Sequence, residues 1–240
     1  MNEELSHREI YRQAPARYAE LVAREDDEGH LPRALQKLGV FEGADVVELG
    51  AGTGRVTRIV APWVRSIVAL DISEAMLRKA QELLVADGVT NSGLVEADHR
   101  HLPLRTGTVD VVLAGWSLCY LVSWYAQTWQ EELQRGLAEI ERVLRPGGSV
   151  VLIETLGTGH TTPAPPESLR PYYAYLEAAG FRMQWIRTDY RFTSPEEAET
   201  LTRFFFGSEL AAGIRAHGGT TLPECTGIWW RKREPVDPNP

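Results

Sequence analysis

The sequence is poor in cysteine. Cys119 and Cys225 are the two in 240 residues, far apart and neither in a Cys-x-x-Cys. That excludes a disulfide scaffold and gives redox or structural-metal chemistry no support. Basic charge is also short, with 25 Lys and Arg against 33 Asp and Glu and a formal charge of −8. A nucleic-acid binder would show a basic excess, so a nucleic-acid substrate is not expected. The densest basic run, Arg231-Lys232-Arg233, reads as a solubilising tail after the last strand. No stretch approaches the roughly 18 apolar residues of a membrane span, and no membrane partner is expected. The opening from Met1 to Gln13 is polar and acidic and lacks the apolar stretch of a secretory signal, so the cytoplasm is the expected compartment. Repeats, low-complexity tracts and an interdomain linker are missing too.

What is present is a chain with 43% hydrophobic and 24% charged residues, ordinary for a globular fold. Residues 5–38 carry helical spacing. Leu5, Ile10, Tyr18, Leu21 and Val22 suggest one amphipathic stretch; Leu31, Leu35 and Leu38 suggest a second, stopped by Gly39. The acidic cluster Glu25 to Glu28 separates them.

Strands and helices then alternate. Asp45–Leu49, Ile67–Leu70, Leu94–Glu96, Val109–Ala114 and Ser149–Ile153 read as short apolar strands. Between them lie a helix with Val56, Ile59 and Val60 inward, one capped by Ser73 with Met76, Ala80 and Leu84 on a face, and a long one. The long helix carries Trp129, Leu133, Leu137, Ile140 and Leu144 and ends in the turn Arg145–Gly148. This alternation predicts an α/β fold: a doubly wound, mostly parallel sheet with helices on both faces.

After Glu154 a Pro- and Thr-rich loop runs from Gly157 to Pro166. A helix with Tyr172, Tyr173 and Leu176 follows, then alternation from Phe181 to Trp185 that begins a strand. Ser194 and Glu197 fit a capping box around Pro195, a shorter helix spans Ser208–His217, and Glu224–Trp230 is the last strand. The ending Asp237–Pro240 is expected to fray. Loop lengths leave the mutual direction of the last two strands open.

The chemistry concentrates where the first strand ends. Glu48-Leu49-Gly50-Ala51-Gly52-Thr53-Gly54 places glycine at every second position, so the backbone can turn sharply and a ligand can approach closely. In a doubly wound sheet this turn is where a nucleotide-like ligand sits. Asp71, ending the second strand, can accept from both ribose hydroxyls. Asp98, after the third, can accept from an exocyclic amine. A dinucleotide site would read Gly-x-Gly-x-x-Gly; here the third glycine comes one residue early and Arg55 takes the sixth place.

These residues resemble class I S-adenosylmethionine-dependent methyltransferases, closest to their small-molecule "type 11" group. Glu48–Gly54 is similar to the first motif of that family, Asp71–Leu77 to its acidic second motif, and Glu96–Asp98 with Leu102–Leu104 to its third. Val109–Val112 resembles the fourth strand and Leu144–Gly148 the turn before the fifth, so the likeness covers residues 44–156. It implies a seven-stranded sheet with strand seven antiparallel between five and six. It implies S-adenosyl-L-methionine as cofactor, with Gly50, Ala51 and Gly52 behind its methionine part and Glu48 near its ammonium. Asp71 would hold the ribose, Ile72 and Met76 would sandwich adenine, and Asp98 would meet the adenine amino group. Tyr11 and Tyr18 are candidates to cover the cofactor, with ordinary helix packing the equal alternative. His99 stands where similar enzymes often carry a small or apolar residue; contact with the cofactor and a surface position are both open. His101 completes a His-x-His, but further ligands are missing and no metal is expected.

Residues 1–43 are then expected to form a helical cap and 44–240 a single cofactor-binding domain. The expected activity is in-line transfer of the methyl to a small-molecule acceptor, with most of the chemistry supplied by the cofactor. Trp116, Ser117 and Tyr120 after strand four, and Glu154 and His160 after strand five, are candidates for the acceptor pocket. His160 reads either as a base on a closing lid or as an exposed loop residue. No catalytic residue can be named, because a base is needed only for a poorly acidic acceptor. Two other readings stay open: an NAD-dependent oxidoreductase and a cofactor-binding module without turnover. Oligomeric state is not legible.

Overall fold

The computed structural model describes residues 5–234. The expected fraying of Asp237–Pro240 lies outside them.

Pro15 decides the start. The stretch from Leu5 to Val22 is two helices, not one: α1 (His7–Gln13) and α2 (Pro15–Val22). Pro15 has no amide hydrogen to continue α1, and its fixed φ suits the first turn of α2. Ser6 and Glu9 close a capping box on α1. α3 (His30–Lys37) follows. Asp26 caps it from outside, its two carboxylate oxygens accepting from the His30 and Leu31 amides at 2.8 Å each.

The alternating section runs β1 (Asp45–Leu49), α4 (Arg55–Val60), β2 (Ser66–Asp71), α5 (Glu74–Ala86), β3 (Ser92–Glu96), β4 (Val109–Gly115), α6 (Cys119–Trp124), α7 (Trp129–Val143) and β5 (Leu144–Thr158). The short α6 has no counterpart in the sequence pattern. β5 starts earlier than expected: Arg145–Gly148 is a bulge within the strand, with Leu144 opposite Val109 and Ser149 opposite Val111.

Beyond a 3-10 turn at Glu167–Leu169 come α8 (Arg170–Ala178), β6 (Arg182–Arg187), β7 (Tyr190–Arg191), α9 (Pro195–Phe206), α10 (Ser208–His217), β8 (Thr221–Leu222) and β9 (Glu224–Lys232). Ser194 caps α9 by accepting from the Glu197 amide, but the Glu197 carboxylate does not return the bond to Ser194. It accepts from the Thr193 amide and from Arg24, just after α2.

The seven-stranded sheet has the order β3-β2-β1-β4-β5-β9-β6. Its first five strands pair in parallel, and β9 lies antiparallel between β5 and β6. β7 and β8 form a separate two-stranded ribbon. Alternate residues serve opposite faces. Val47, Leu49, Val112, Val150 and Leu152 face the core shared with α7 and α8, while Val46, Ile67, Val111, Leu113, Val151 and Ile228 face the one under α3 and α4. Leu21, Tyr190, Phe192, Ala198, Leu201, Ile214 and Leu222 make a third cluster that ties α2 to the segment inserted between β6 and β9.

The run Arg231–Arg233 is not a loose tail. β9 carries Lys232 into register with Ser149, and Arg231 and Arg233 both pair with Glu141 on α7.

Candidate functional site

The strand order reverses between β1 and β4, which opens a crevice at the carboxyl ends of the parallel strands. A cavity of about 970 Å³ lies there. That is near the top of the range of about 300–1,000 Å³ for single-ligand pockets, room for a nucleoside-sized group and a second small molecule.

Its floor is the loop after β1. Gly50, Gly52 and Gly54 all take positive φ, at 70°, 56° and 79°. Gly50 is required by contact as well: a Cβ there would lie 2.3 Å from Ser117 Cβ and 3.3 Å from His99 Nε2. Ser117 in turn donates from Oγ to the Leu49 carbonyl at 2.7 Å. Gly52 is different, because a Cβ there would meet only Tyr18 Cε1, at 3.7 Å, across the cavity.

Asp71 organises this loop. Its Oδ2 accepts from the Gly52 amide and its Oδ1 from the Ser73 amide, both at 2.8 Å. Burial raises its pKa, and the backbone donors oppose the rise. Each carboxylate oxygen has a second lone pair, so capacity remains for ligand hydroxyls. Ile72 beside it is exposed despite its apolar side chain, at 57%, and lines the cavity with Met76. Glu48 is buried below, bonded by the Thr57 hydroxyl at 2.5 Å. Burial pushes its pKa up to about 8, with the Asp71 charge adding to the rise.

Helices from both ends of the chain roof the cavity. Ser73 Oγ, which caps α5, donates to the Tyr11 carbonyl and fixes α1 over the end of β2. Tyr11 meets Tyr120 hydroxyl to hydroxyl, and its ring packs edge-on against Tyr18 at 5.3 Å. Phe205 of α9 stacks on His7 at 4.6 Å and touches Tyr18 at 5.4 Å.

Of the residues singled out from sequence, Glu48, Gly50, Ala51, Gly52, Asp71, Ile72, Met76, His99, Tyr11, Tyr18, Trp116, Ser117 and Tyr120 line this one cavity. His99 faces it as a neutral ring, since burial pushes its pKa down to about 4. Asp98, Glu154 and His160 do not line it. Asp98 is gripped by Arg100, which also reaches Glu132 on α7, so both its oxygens are engaged within the protein. Glu154 is fully buried beneath α6, where its Oε1 accepts from the Cys119 amide and the Tyr172 hydroxyl. His160 is exposed on the loop after β5, with its carbonyl facing Cys225 Sγ at 3.4 Å.

The sequence pattern did not mark three further groups. Glu25 and Arg55 form a buried ion pair whose guanidinium stacks on Trp116 at 4.9 Å. Trp116 itself sits at φ 47°, strained for a bulky residue and held by its amide bond to the Ile153 carbonyl. Glu224 starts β9 and lines the same cavity. The one sequence sign was Arg55 itself, in a position where a dinucleotide loop would have glycine.

Residues 47–152 match a protein family described as a methyltransferase domain. The demethylmenaquinone methyltransferase of Corynebacterium urealyticum is 30% identical over 190 residues, covering 78% of this chain and 72% of that protein. The chain belongs to the class I S-adenosylmethionine-dependent methyltransferases. The malonyl-[acyl-carrier protein] O-methyltransferase of Pectobacterium atrosepticum is 35% identical over 127 residues, 53% of this chain and 44% of that one. A solved SAM-dependent methyltransferase from Aquifex aeolicus shares the fold of this methyltransferase, with a TM-score of 0.56 at 19% identity over 90% of this chain and 97% of that one. The chain spans less than half the length of the first curated relatives it matches, at 44%, 26% and 39%. The match from residue 47 to 152 takes in the glycine loop, Asp71 and Ser117 but stops before the inserted segment and Glu224. No described helix is long and apolar enough to cross a membrane.

Proposed function

We propose that the chain binds S-adenosyl-L-methionine in this cavity and transfers its methyl group to a small-molecule acceptor. The observation that carries the reading is the Asp71 carboxylate, which holds the Gly52 amide at 2.8 Å at the edge of a cavity large enough for two molecules. The residues fit the cofactor. Gly52 leaves open the space a Cβ would fill, Asp71 keeps free lone pairs at the end of β2, and Ile72 and Met76 offer an apolar surface beside them. Buried Glu48 supplies a carboxyl for an ammonium group.

When bound, the cofactor supplies an activated methyl on a sulfonium. The work of the chain is to orient and to exclude water. Tyr11, Tyr18, Tyr120, His7 and Phe205 close the roof, and a dry, fixed encounter removes several kcal/mol of the barrier, of the order of 7–11 kcal/mol in the best-oriented systems. We assign Glu48, Gly50, Ala51, Gly52, Asp71, Ile72, Met76 and His99 to the cofactor, and Trp116, Ser117 and Tyr120 to the junction with the acceptor. Residues 1–43 act as a helical cap over the single domain 44–240. Cys119 and Cys225 are buried separately and unpaired, which supports the cytoplasm as the compartment.

Thermal shift with S-adenosylhomocysteine and with NAD tests the reading. Stabilisation by the former is expected; stabilisation by NAD alone would overturn it. Release of S-adenosylhomocysteine across a metabolite library then identifies the acceptor.

A further inference from the structure

Glu224 is the first residue of β9, 2% exposed, and lines the same cavity as Asp71. Three strands separate β2 from β9 in the sheet; four steps of about 4.8 Å put the two carboxylates' strands roughly 19 Å apart. A ligand seated on Asp71 and the glycine loop therefore leaves the Glu224 end to the second molecule. That end is walled by Thr155, Thr158, Tyr190 and Phe206.

The Glu224 carboxyl is only partly satisfied from within the protein, by the Thr155 and Thr158 hydroxyls. Thr155 Oγ1 donates to Oε1 at 2.6 Å, whereas Oε2 is buried with no hydrogen-bond partner. A buried acceptor left unmade costs about 1–3 kcal/mol, so such atoms in a cavity mark where a ligand donor belongs. Glu25 and Arg55 face Glu224, Arg55 pairing with Glu25 through Nη1 and leaving Nη2 unpartnered. The Asp189 carboxylate, itself paired with Arg187, accepts from the Glu224 amide at 3.0 Å. Two carboxylates thus share one guanidinium, and before a ligand binds one of them, Glu224, is held uncharged by a proton. The titratable neighbours Tyr173, Cys225 and Tyr190 all have their pKa values raised by burial and stay neutral, and Tyr190 adds an aromatic face that favours a cation.

We propose that Glu224 seats the methyl acceptor through its free Oε2, and that the acceptor is accordingly a primary or secondary amine on an apolar body. The inference rests on the methyltransferase reading above and names the substrate class of that same cavity. Burial, with the Glu25 charge adding, pushes the Glu224 pKa up to about 8, so the empty site holds a proton that an incoming ammonium displaces. In the productive complex, one ammonium proton passes to Oε2. The freed nitrogen lone pair forms the N–C bond to the methyl as the C–S bond breaks, and sulfur keeps that electron pair. The product leaves as an N-methylated ammonium.

The test uses the full chain saturated with S-adenosylhomocysteine, titrated in a calorimeter with benzylamine and with its neutral counterpart benzyl alcohol. The amine is expected to bind at least ten-fold more tightly and to release a proton near pH 7, read from buffers of different ionisation enthalpy. Glu224→Gln is expected to bind S-adenosylhomocysteine as the wild type does, to level the two probes and to abolish the proton release. Equal affinities in the wild type, preference for the alcohol, binding of neither probe at millimolar concentration, or a preference that survives in Glu224→Gln would each overturn the proposal. The wild-type comparison stands even if the variant does not fold. Failure of S-adenosylhomocysteine itself to bind overturns the methyltransferase reading instead, and this inference with it.

Discussion

The Gly52 amide donates to Asp71 Oδ2 at 2.8 Å, so the loop after β1 is shaped by the residue that ends β2. One carboxylate thereby sets the floor of the cavity and lines it. Asp71→Ala is expected to weaken S-adenosylhomocysteine binding by about 1.5–3 kcal/mol, the cost of losing hydrogen bonds to a charged group. Calorimetry checks it; unchanged affinity would remove Asp71 from the ligand site.

Two glycines in that loop should fail in different ways. Gly50→Ala forces a Cβ to within 2.3 Å of Ser117 Cβ, and the expected result is a loss of a few kcal/mol of stability, about 1–3 from overpacking plus about 1 from the positive φ. In Gly52→Val the Cβ meets only Tyr18, at 3.7 Å, so apart from the strain of a β-branched residue at φ 56° the expected result is a folded, less stable protein that no longer binds S-adenosylhomocysteine. Thermal melts separate the two, and binding retained by folded Gly52→Val would show that the loop does not touch ligand.

Glu48 predicts a proton count. Its pKa stands at about 8 through burial, so it is largely protonated near neutral pH; a ligand ammonium beside it stabilises the carboxylate and expels the proton. S-adenosylhomocysteine binding at about pH 7 should release close to one proton, and Glu48→Gln should release none. Calorimetry in two buffers reads the number, and equal release from both proteins removes Glu48 from the ammonium site.

Asp98 is expected to carry stability rather than ligand, since Arg100 takes both its oxygens. Hydrogen bonds from Arg100 hold its pKa down to about 2. A carboxyl lowered in the folded state stabilises above its unfolded pKa of about 3.9 and loses that contribution as pH falls through the folded value. Wild type should therefore exceed Asp98→Asn in urea midpoint at about pH 5–7, with the gap closing toward about pH 2. S-adenosylhomocysteine affinity is expected to be the same in both, and a drop in the variant would return Asp98 to the cofactor site.

Much of the frame was legible because it is local. Short runs of four to six residues marked β1, β2 and β4, and the 3–4 spacing from Trp129 to Ile140 marked α7. Period and length follow from backbone geometry alone. The break at Pro15 was misjudged because apolar spacing carries across it. α6 was missed because six residues hold too few turns to show a period.

The sequence by itself determined the strand–glycine–helix turn from Glu48 to Arg55 and the acid at the end of β2, since each depends on neighbours a few residues away. Only the tertiary structure decided that Arg100 ties Asp98 to Glu132 on α7, that Glu154 is buried under α6, and that Glu25, Arg55 and Glu224 line one cavity. Those meetings join positions 25, 55 and 224, and β9 delivers the last of them by inserting antiparallel between β5 and β6. Strand direction there is set by which edge buries apolar surface and pairs backbone, a property of the assembled sheet that no short stretch of chain encodes.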